Sequence, residues 1–229
     1  MATVASRQNR IKHPRRFRFD SAGKTTTSCC CLSAFDVLHA PTIASWITSD
    51  RELTWLAPAT PPPLTAAKVA AWGRGQSHRL LLWIEAAADP VGYAELNKMP
   101  RRPDRMWIGH CVLDPNYRGR GLGKRFVQAL CCRAFRELAA IDVSLVVIPE
   151  NRSAIACYQT CGMIIDGRER KYFEATGQSC DFLRMSVDLR QFNHRYPAER
   201  LSRIAFPFIP NSASLRMGPA SRRRIITQS

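Results

Sequence analysis

The stretch DPNYRGRGLGKRF, which spans residues 114–126, determines the fold that we predict for this chain. It places glycines at the alternate positions 119, 121 and 123, among four arginine or lysine side chains. Glycine weakens a helix or a strand by about 1 kcal/mol per residue. A turn this flexible and this cationic therefore predicts that something outside the chain stabilises it, and the positive charge indicates an anion.

The elements on either side of the turn are predicted from their apolar patterns. Upstream, MWIGHCVLD predicts a strand over residues 106–113. Downstream, apolar residues recur at helical spacing over residues 122–138. The first N–H groups of a helix have no partner inside it, and the helix dipole adds about half a positive charge there. A strand, a glycine turn and a helix in this order predict a phosphate-binding site.

The glycine spacing excludes two known phosphate loops. A P-loop has Ser or Thr after its lysine, whereas Lys124 is followed by Arg125. The dinucleotide fingerprint GxGxxG needs its third glycine one residue later than Gly123. What remains is R-x-x-G-x-G, formed with Arg118 and Gly121. This pattern resembles the acyl-CoA-binding signature of the GNAT superfamily of N-acetyltransferases.

A second stretch, PENRSAIACYQTCGM at residues 149–163, strengthens the resemblance. It is similar to the other signature of the family through Asn151, Ala154, Tyr158 and Gly162. The first three of these residues are three and four positions apart, so one helical face presents them together. This helix is predicted to begin at Asn151 or Ser153. Met163 takes the place of the usual Phe, which is a tolerable apolar exchange.

The predicted element order agrees with this resemblance. It runs as two helices, three antiparallel strands, a helix, a strand, a helix and two strands, which indicates an α/β domain over residues 34–190. The resemblance implies the acyl-CoA N-acyltransferase fold of the GNAT enzymes. In this fold, a mixed, mostly antiparallel twisted sheet of about six to seven strands is flanked by helices.

The resemblance also implies roles for individual residues. The strand before the glycine turn would separate from its neighbouring strand. Acetyl-CoA would be the acetyl donor, with its pantetheine arm along the exposed backbone of Cys111, Val112 and Leu113, and a backbone N–H near Val112 would polarise the thioester. Asn151 would contact the coenzyme further along, and Tyr158 would protonate the leaving thiolate. The pyrophosphate would lie on the glycine turn, at Arg118, Gly119, Arg120, Gly121, Leu122, Gly123 and Lys124.

The base that deprotonates the attacking amine is left open by the sequence. Many relatives carry a glutamate early in the strand before the glycine turn, but this strand has no carboxylate before Asp114. Glu95 on the adjacent strand is our first candidate and His110 the second, because the ordinary pKa of histidine suits the task. Strand alternation predicts His110 and Val112 on one face of the sheet. A surface Glu95 and a core His110 remain the structural alternatives.

Charge is concentrated at the two ends of the chain. The net charge is +16, but residues 1–35 hold seven Lys or Arg against one acidic residue, and residues 190–229 hold eight against one. The segment between them has 19 basic and 16 acidic side chains and is nearly neutral. We therefore predict a basic, disordered or non-native leader at residues 1–33 and a basic, mostly disordered tail at residues 191–229.

The cysteines indicate a compartment. Nine cysteines include no CxxC pair, which predicts free thiols in a reducing cytoplasm and no zinc site. No stretch approaches the ~20 apolar residues of a membrane span. Nor is there a Cys/His/Asn arrangement of the kind that would favour transfer through an acyl-cysteine. Direct transfer to the amine of a small molecule or a protein is the simpler expectation.

Two other functions remain open at this stage. The basic tails, with RRFRF at residues 15–19 and SRRRII at residues 221–226, are compatible with a ribosome- or nucleic-acid-associated module. No helix-turn-helix, zinc spacing or RNP-type aromatic pattern supports sequence recognition. Because the usual base position lacks a carboxylate, a chain that binds acetyl-CoA without turnover is the second alternative.

Overall fold

The computed structural model describes residues 30–73, 77–84, 87–197 and 208–209. Within these ranges the chain forms a single sheet with helices on both faces. Its elements are β1 (Cys30–Ala34), α1 (Ala40–Ser45), α2 (Asp50–Leu56), α3 (Ala66–Ala71), β2 (Ser77–Ile84), β3 (Gly92–Met99), β4 (Arg102–Leu113), α4 (Leu122–Arg136), β5 (Asp142–Val147), α5 (Arg152–Thr160), β6 (Ile164–Phe173), β7 (Gln178–Asp188), α6 (Leu189–Arg195) and β8 (Phe208–Ile209). None of these helices combines the length and the apolar character needed to cross a bilayer.

The sheet has the strand order β6-β7-β5-β4-β3-β2-β1-β8. Only the pairs β4–β5 and β1–β8 are parallel, and the other neighbours are antiparallel. This confirms the predicted mixed, mostly antiparallel sheet flanked by helices. The count of eight strands exceeds the prediction because β1 and the two-residue β8 were not recognised.

Both predicted domain boundaries need correction. β1 lies in the segment assigned to the leader, yet it pairs with β2 and buries Cys30 and Leu32. The predicted tail contains most of α6, which begins with an Asp188 capping box and buries Phe192, and it also contains β8. Each missed strand is too short to show a periodic pattern. The rest of the leader and tail lies outside the described residues.

Two hydrophobic cores cover the two faces of the sheet. On one face, α4 packs the apolar stripe predicted from its sequence, and Phe126, Leu130 and Ala134 are fully buried. On the other face, α1, α2 and α3 cover a second core that includes Tyr93. Successive residues of β2 alternate between these cores, as expected for a strand buried on both sides.

The pairing between β4 and β5 ends early. It covers only Arg105–Trp107 against Asp142–Ser144. Beyond that point β4 continues to Leu113 and stays paired with β3 on its other edge. The two neighbours therefore separate, which leaves a gap beside residues 108–113 of β4, just before the glycine turn. The family resemblance implied this separation.

Replacing Leu130 by alanine should test the α4 core. Leu130 is 0% exposed, and truncation of such a side chain removes packing that the surroundings cannot restore. We expect the free energy of unfolding, measured by urea denaturation, to fall by about 2–5 kcal/mol. The matched control is Val37→Ala: Val37 is 58% exposed, and its loss should change stability by less than about 0.5 kcal/mol. Equal effects of the two substitutions would contradict the assigned core.

Candidate active site

A β-bulge places His110 beside the gap. Tyr93 pairs with Val112 and Glu95 pairs with Gly109, so two residues of β4 lie opposite Ala94 alone. His110 accommodates the extra residue with φ of 42°, a left-handed conformation that is uncommon outside glycine. Bulges of this kind redirect side chains and are frequent next to active sites.

The side chains around the bulge divide between the two faces of the sheet. His110 stacks on Trp72 at the end of α3, and Val112 belongs to the same core. Cys111 packs instead against the core under α4. This is the distribution that strand alternation predicted. A Cβ added to Gly109 would lie 3.6 Å from Glu95 Oε2, so residues 109 and 110 both face Glu95.

Glu95 and His110 form a bonded pair on this face. Glu95 Oε1 lies 3.0 Å from His110 Nδ1 and accepts a 2.6 Å hydrogen bond from the Tyr93 hydroxyl. Its other oxygen is 3.5 Å from Asn97 Nδ2. Burial raises the pKa of Glu95, but the hydrogen bonds and charge of its partners, His110 first, outweigh burial and leave the pKa below its ordinary value. The carboxyl group is therefore ionised at neutral pH.

The two candidate bases differ in access. Glu95 is 3% exposed, and both of its oxygens face protein donors. The His110 side chain is 26% exposed, and its Nε2 atom is the ring nitrogen that does not contact Glu95. The structure thus favours the second of our two candidates as the group that meets a substrate.

Arg79 extends the hydrogen-bonded line behind Glu95. Its Nε donates to the Tyr93 hydroxyl at 2.9 Å. Its other two nitrogens donate to the carbonyl oxygens of Val69 and Ala70, at 2.6 and 3.1 Å, in the last turn of α3. The guanidinium also lies over the Phe35 ring at 3.7 Å. One arginine therefore joins the end of α3 to the carboxylate that holds His110.

Trp72 connects the same helix to the imidazole directly. The rings of Trp72 and His110 are parallel within 5°, with centroids 4.3 Å apart. The indole Nε1 donates to Thr60 Oγ1 at 3.0 Å, which fixes the ring plane. Sequence patterns assigned no role to Tyr93 or Arg79. Only Tyr93 had a usable signal, because it lies two residues before Glu95 on one strand and so shares its face.

Tyr158 lies on the other side of β4. It packs beside Cys111 at the edge of the α4 core. Burial, followed by the neighbouring thiols of Cys111, Cys157 and Cys161, raises the pKa of Tyr158 well above its ordinary value. Within the described part of the chain the Tyr158 hydroxyl makes no hydrogen bond. It is thus a protonated donor without an acceptor among the described residues.

The glycine turn presents the start of α4 to solvent. Gly119 and Gly121 have φ of 72° and 75°, and a Cβ on either would meet no atom within 4 Å. Glycine is required here for its backbone angle, and the space beside it is open. Gly121 occupies the N-cap position, so no side chain caps the helix. The N–H groups of Leu122, Gly123 and Lys124 lie in the first turn, where a helix supplies no acceptor.

The Arg118 side chain, predicted to contact the pyrophosphate, is bonded to protein groups in this structure. Its Nη1 pairs with Glu52 Oε1 at 2.6 Å, its Nη2 donates to Trp46 O at 3.2 Å, and its Nε donates to Leu113 O at 3.0 Å. Its backbone N–H is also engaged, by Pro115 O at 3.3 Å. Arg118 therefore fastens the turn to α1 and α2, and the Leu113 carbonyl is occupied.

Asn151 has a structural bond that the signature alone did not reveal. Its Oδ1 accepts from the backbone N–H of Ala154 at 3.2 Å, as the N-cap of α5. This confirms the predicted start of that helix. A coenzyme contact would therefore fall to the Nδ2 atom, which the cap does not use. Next to it, Cys157 approaches the head of α4 closely, since a Cβ on Gly123 would lie 3.3 Å from its sulfur.

Comparison with known proteins gives a family and a fold. The model of the family described as "Acetyltransferase (GNAT) family" matches residues 41–163, more than half of the chain. Two solved acetyltransferase structures are similar to this chain in fold. The spermidine N-acetyltransferase from Vibrio cholerae, solved with CoA and spermine, has a TM-score of 0.59 at 17% identity, over 71% of this chain and 97% of that one. An aminoglycoside acetyltransferase solved with coenzyme A gives 0.58 at 18% identity, over 72% and 98%.

Two curated proteins are similar in sequence over shorter segments. The N-alpha-acetyltransferase RimI of Mycobacterium tuberculosis is 31% identical over 38% of this chain and 53% of its own length. The spermidine N(1)-acetyltransferase of Escherichia coli K12 is 29% identical over 54% of this chain and 63% of its own length. The chain thus spans between one half and two thirds of each of these relatives.

The lowered pKa of Glu95 should appear in the pH dependence of stability. A carboxyl group whose pKa is lowered by folding stabilises the folded chain above its unfolded pKa of about 4.3, and this contribution is lost as the pH falls through the folded pKa. The difference in unfolding free energy between the wild type and Glu95→Gln should therefore be largest near neutral pH. It should shrink as the pH falls from about 5 to about 3. Urea denaturation at each pH measures it, and a constant difference would refute the assignment.

Proposed function

Because the chain belongs to the acetyltransferase (GNAT) family, we propose that it transfers an acetyl group from acetyl-CoA to a primary amine. The observation that carries this proposal is the gap between β4 and β5, which leads directly into the glycine turn and the uncapped start of α4. An extended thiol arm that ends in a diphosphate matches both parts of this surface. The unpaired strand edge offers backbone partners, and the helix start offers N–H groups and positive charge.

The residues around the gap fit acetyl-CoA as the acetyl donor. Gly119 to Lys124 would hold the pyrophosphate through backbone N–H groups, with Arg120 and Lys124 adding positive charge. Arg118 would serve only by holding the turn in place. The backbone of Cys111 and Val112 would pair with the pantetheine arm, since the other edge of β4 is already bonded to β3. Asn151 would contact the arm from α5 through its side-chain amide.

The transfer itself requires two proton movements. The amine nitrogen attacks the thioester carbonyl carbon, and the carbon–sulfur bond breaks as the carbon–nitrogen bond forms. A backbone N–H near Val112 stabilises the oxyanion, and Tyr158 protonates the leaving thiolate. Because the pKa of Tyr158 is raised by burial and by the neighbouring thiols, the hydroxyl keeps its proton at neutral pH and is available as a donor. The proton of the amine goes to the Glu95–His110 pair.

The acceptor remains an amine of a small molecule or a protein. The similar proteins named above act, by their names, on spermidine, on aminoglycosides or at an N-alpha position, so the scaffold alone does not determine the acceptor. The basic ends of the chain support an additional, non-specific attraction to ribosomes or nucleic acid. The eight described cysteines are all free thiols, which supports a cytoplasmic location.

A screen of primary amines tests the function directly. The full chain, acetyl-CoA and each amine are mixed, released CoA thiol is measured, and acetyl-CoA binding is followed separately by calorimetry. Thiol release that depends on one amine supports the proposal. Binding without release for every amine class would favour the non-catalytic alternative, and absence of binding would refute the proposed coenzyme site.

Ribosome association that persists after removal of residues 1–29 and 210–229 would refute the role of the tails.

Tyr158→Phe should separate catalysis from coenzyme binding. The substitution removes the proton donor but keeps the ring that packs beside Cys111. We expect kcat to fall by about 100-fold, while the Kd for acetyl-CoA from calorimetry changes little. The exposed Tyr172 on β6, changed to Phe, serves as the matched control and should leave kcat unchanged. Full turnover in Tyr158→Phe would remove Tyr158 from the acid role.

Gly121→Ala should weaken acetyl-CoA binding more than it weakens the fold. Alanine is disfavoured at φ of 75° by about 1–2 kcal/mol, so the turn shifts and the helix start is misplaced. We expect the calorimetric Kd to rise at least about fivefold. Gly177 in the β6–β7 turn has φ of 66° and equally open space, so Gly177→Ala is a matched control. Equal affinities of the two variants would contradict a diphosphate on the glycine turn.

A further inference from the structure

We propose that His110 is the catalytic base and that Glu95, Tyr93 and Arg79 form a line of positioning residues which fixes its Nε2 atom toward the acceptor amine. This inference rests on the proposed acetyl transfer and goes beyond it, because neither the family match nor the signatures assign a base. It is carried by the geometry on the α3 side of β4, where these side chains are joined by consecutive hydrogen bonds.

The first step concerns which group reaches the substrate. Glu95 is enclosed, and its Oε1 already receives the Tyr93 hydroxyl and faces His110 Nδ1. An ionised carboxylate only accepts hydrogen bonds, so the proton of the neutral imidazole lies on Nδ1. The lone pair is then on Nε2, at the partly exposed end of the ring. A carboxylate that orients a histidine in this way is a known device for fixing its tautomer.

The second step concerns what holds the carboxylate. Glu95 Oε1 is shared between Tyr93 and His110, so Tyr93 prevents the carboxylate from turning away. Tyr93 is in turn fixed by Arg79, whose remaining donors bind Val69 O and Ala70 O. Burial, followed by the charge of Glu95, raises the pKa of Tyr93, so its hydroxyl remains a donor at every physiological pH.

The third step concerns the ring itself. The bulge turns His110 toward Glu95 at the expense of an uncommon backbone angle, and Trp72 stacks on the imidazole from α3. Two independent contacts therefore tie the end of α3 to the base, one through Trp72 and one through Arg79. A strained backbone conformation that the surrounding structure holds in place is typical of functional sites.

The charged and titratable groups around His110 are few in the described ranges. Glu95 of β3 contacts His110 directly, and Tyr93 of the same strand is hydrogen-bonded to Glu95. Arg79 of β2 is hydrogen-bonded to Tyr93. The ring that α3 contributes is uncharged. The Lys68 ammonium of that helix is bound instead to the carbonyls of Pro61 and Pro63. Glu95 is therefore the charge that stabilises an imidazolium here.

The proton transfer balances within the acetyl transfer. As the amine nitrogen bonds to the carbonyl carbon, its proton moves to His110 Nε2 and gives an imidazolium paired with Glu95. The sulfur leaves with the electrons of the broken bond and takes a proton from Tyr158. Base and acid return to their starting states by exchange with solvent, since neither is consumed.

The pH profile of kcat/KM distinguishes positioning from mere structural damage. His110→Asn should lower kcat/KM at least about 100-fold and abolish the acidic limb of the profile. Glu95→Gln should move that limb to lower pH, because the imidazolium loses its carboxylate. Tyr93→Phe should move it to higher pH, because the carboxylate loses a competing donor. Tyr172→Phe, far out on β6, is the control and should leave the limb in place.

Opposite displacements in Glu95→Gln and Tyr93→Phe support the proposal, since loss of packing would lower the rate without moving the limb in two directions. An active chain whose limb is unmoved by either substitution, or whose rate survives His110→Asn, overturns it while leaving the acetyl transfer intact. A chain that acetylates no amine removes the proposed function and the base together.

The positioning of His110 can also be tested by a measurement that does not depend on turnover. Nitrogen-15 NMR of the full chain reports the tautomer of each histidine, and the His110→Asn spectrum identifies the signal. We expect neutral His110 to carry its proton on Nδ1 in the wild type and to lose this preference in Glu95→Gln. A proton on Nε2 in the wild type would refute the positioning line, whatever the outcome with acetyl-CoA.

Discussion

The early end of the β4–β5 ladder is the constraint on which the rest of the site depends. Backbone N–H and C=O groups are strong donors and acceptors that a folded chain leaves unpaired only where water or a ligand can reach them. After Trp107, the β5-facing edge of β4 has no strand partner among the described residues, while its other edge stays paired to β3. A gap of this shape accepts an extended molecule. The glycine turn begins where that edge ends, so the same separation positions both halves of the coenzyme surface.

Two arginines hold the helices α1, α2 and α3 on the sheet. Helices α1, α2 and α3 have six or seven residues each, shorter than the roughly 12–15 residues at which isolated helices become marginally stable. Arg118 binds the carbonyl of Trp46 at the end of α1, and Arg79 binds Val69 and Ala70 in the last turn of α3. Both arginines thereby donate to carbonyl groups at helix ends, although Val69 O also accepts from the backbone N–H of Trp72. From the sequence alone, this positive charge would be assigned to anion binding. In the structure, part of it holds the short helices on the sheet.

The sequence predicted what is local and missed what depends on distant contacts. The α4 stripe, the glycine turn and the Asn151 cap are set by residues within one element, and the structure has them where the patterns indicated. The role of the Arg118 side chain could not be predicted, because its partner Glu52 is 66 residues away. The bulge at His110 was equally hidden, since an extra residue in a ladder leaves the apolar pattern of the strand almost unchanged. β1 and β8 are too short to show a periodic pattern, and the strands with which they pair are distant in the sequence.

In the proposed mechanism, strand β4 separates the catalytic acid from the catalytic base. On the α4 side, burial and neighbouring thiols raise the pKa of Tyr158, which keeps its proton. On the α3 side, donors to Glu95 hold its pKa below the ordinary value, so the carboxylate stays charged beside His110. Environments that push pKa values apart are what assign acid and base roles at neutral pH. Strand alternation makes this division possible, because consecutive residues face opposite sides of the sheet: Cys111 lies toward Tyr158, and His110 lies toward Glu95. A thioester carbonyl lying in the gap between them would receive its nucleophile from one face and release its thiolate to the other, so the two protons would never compete for one group.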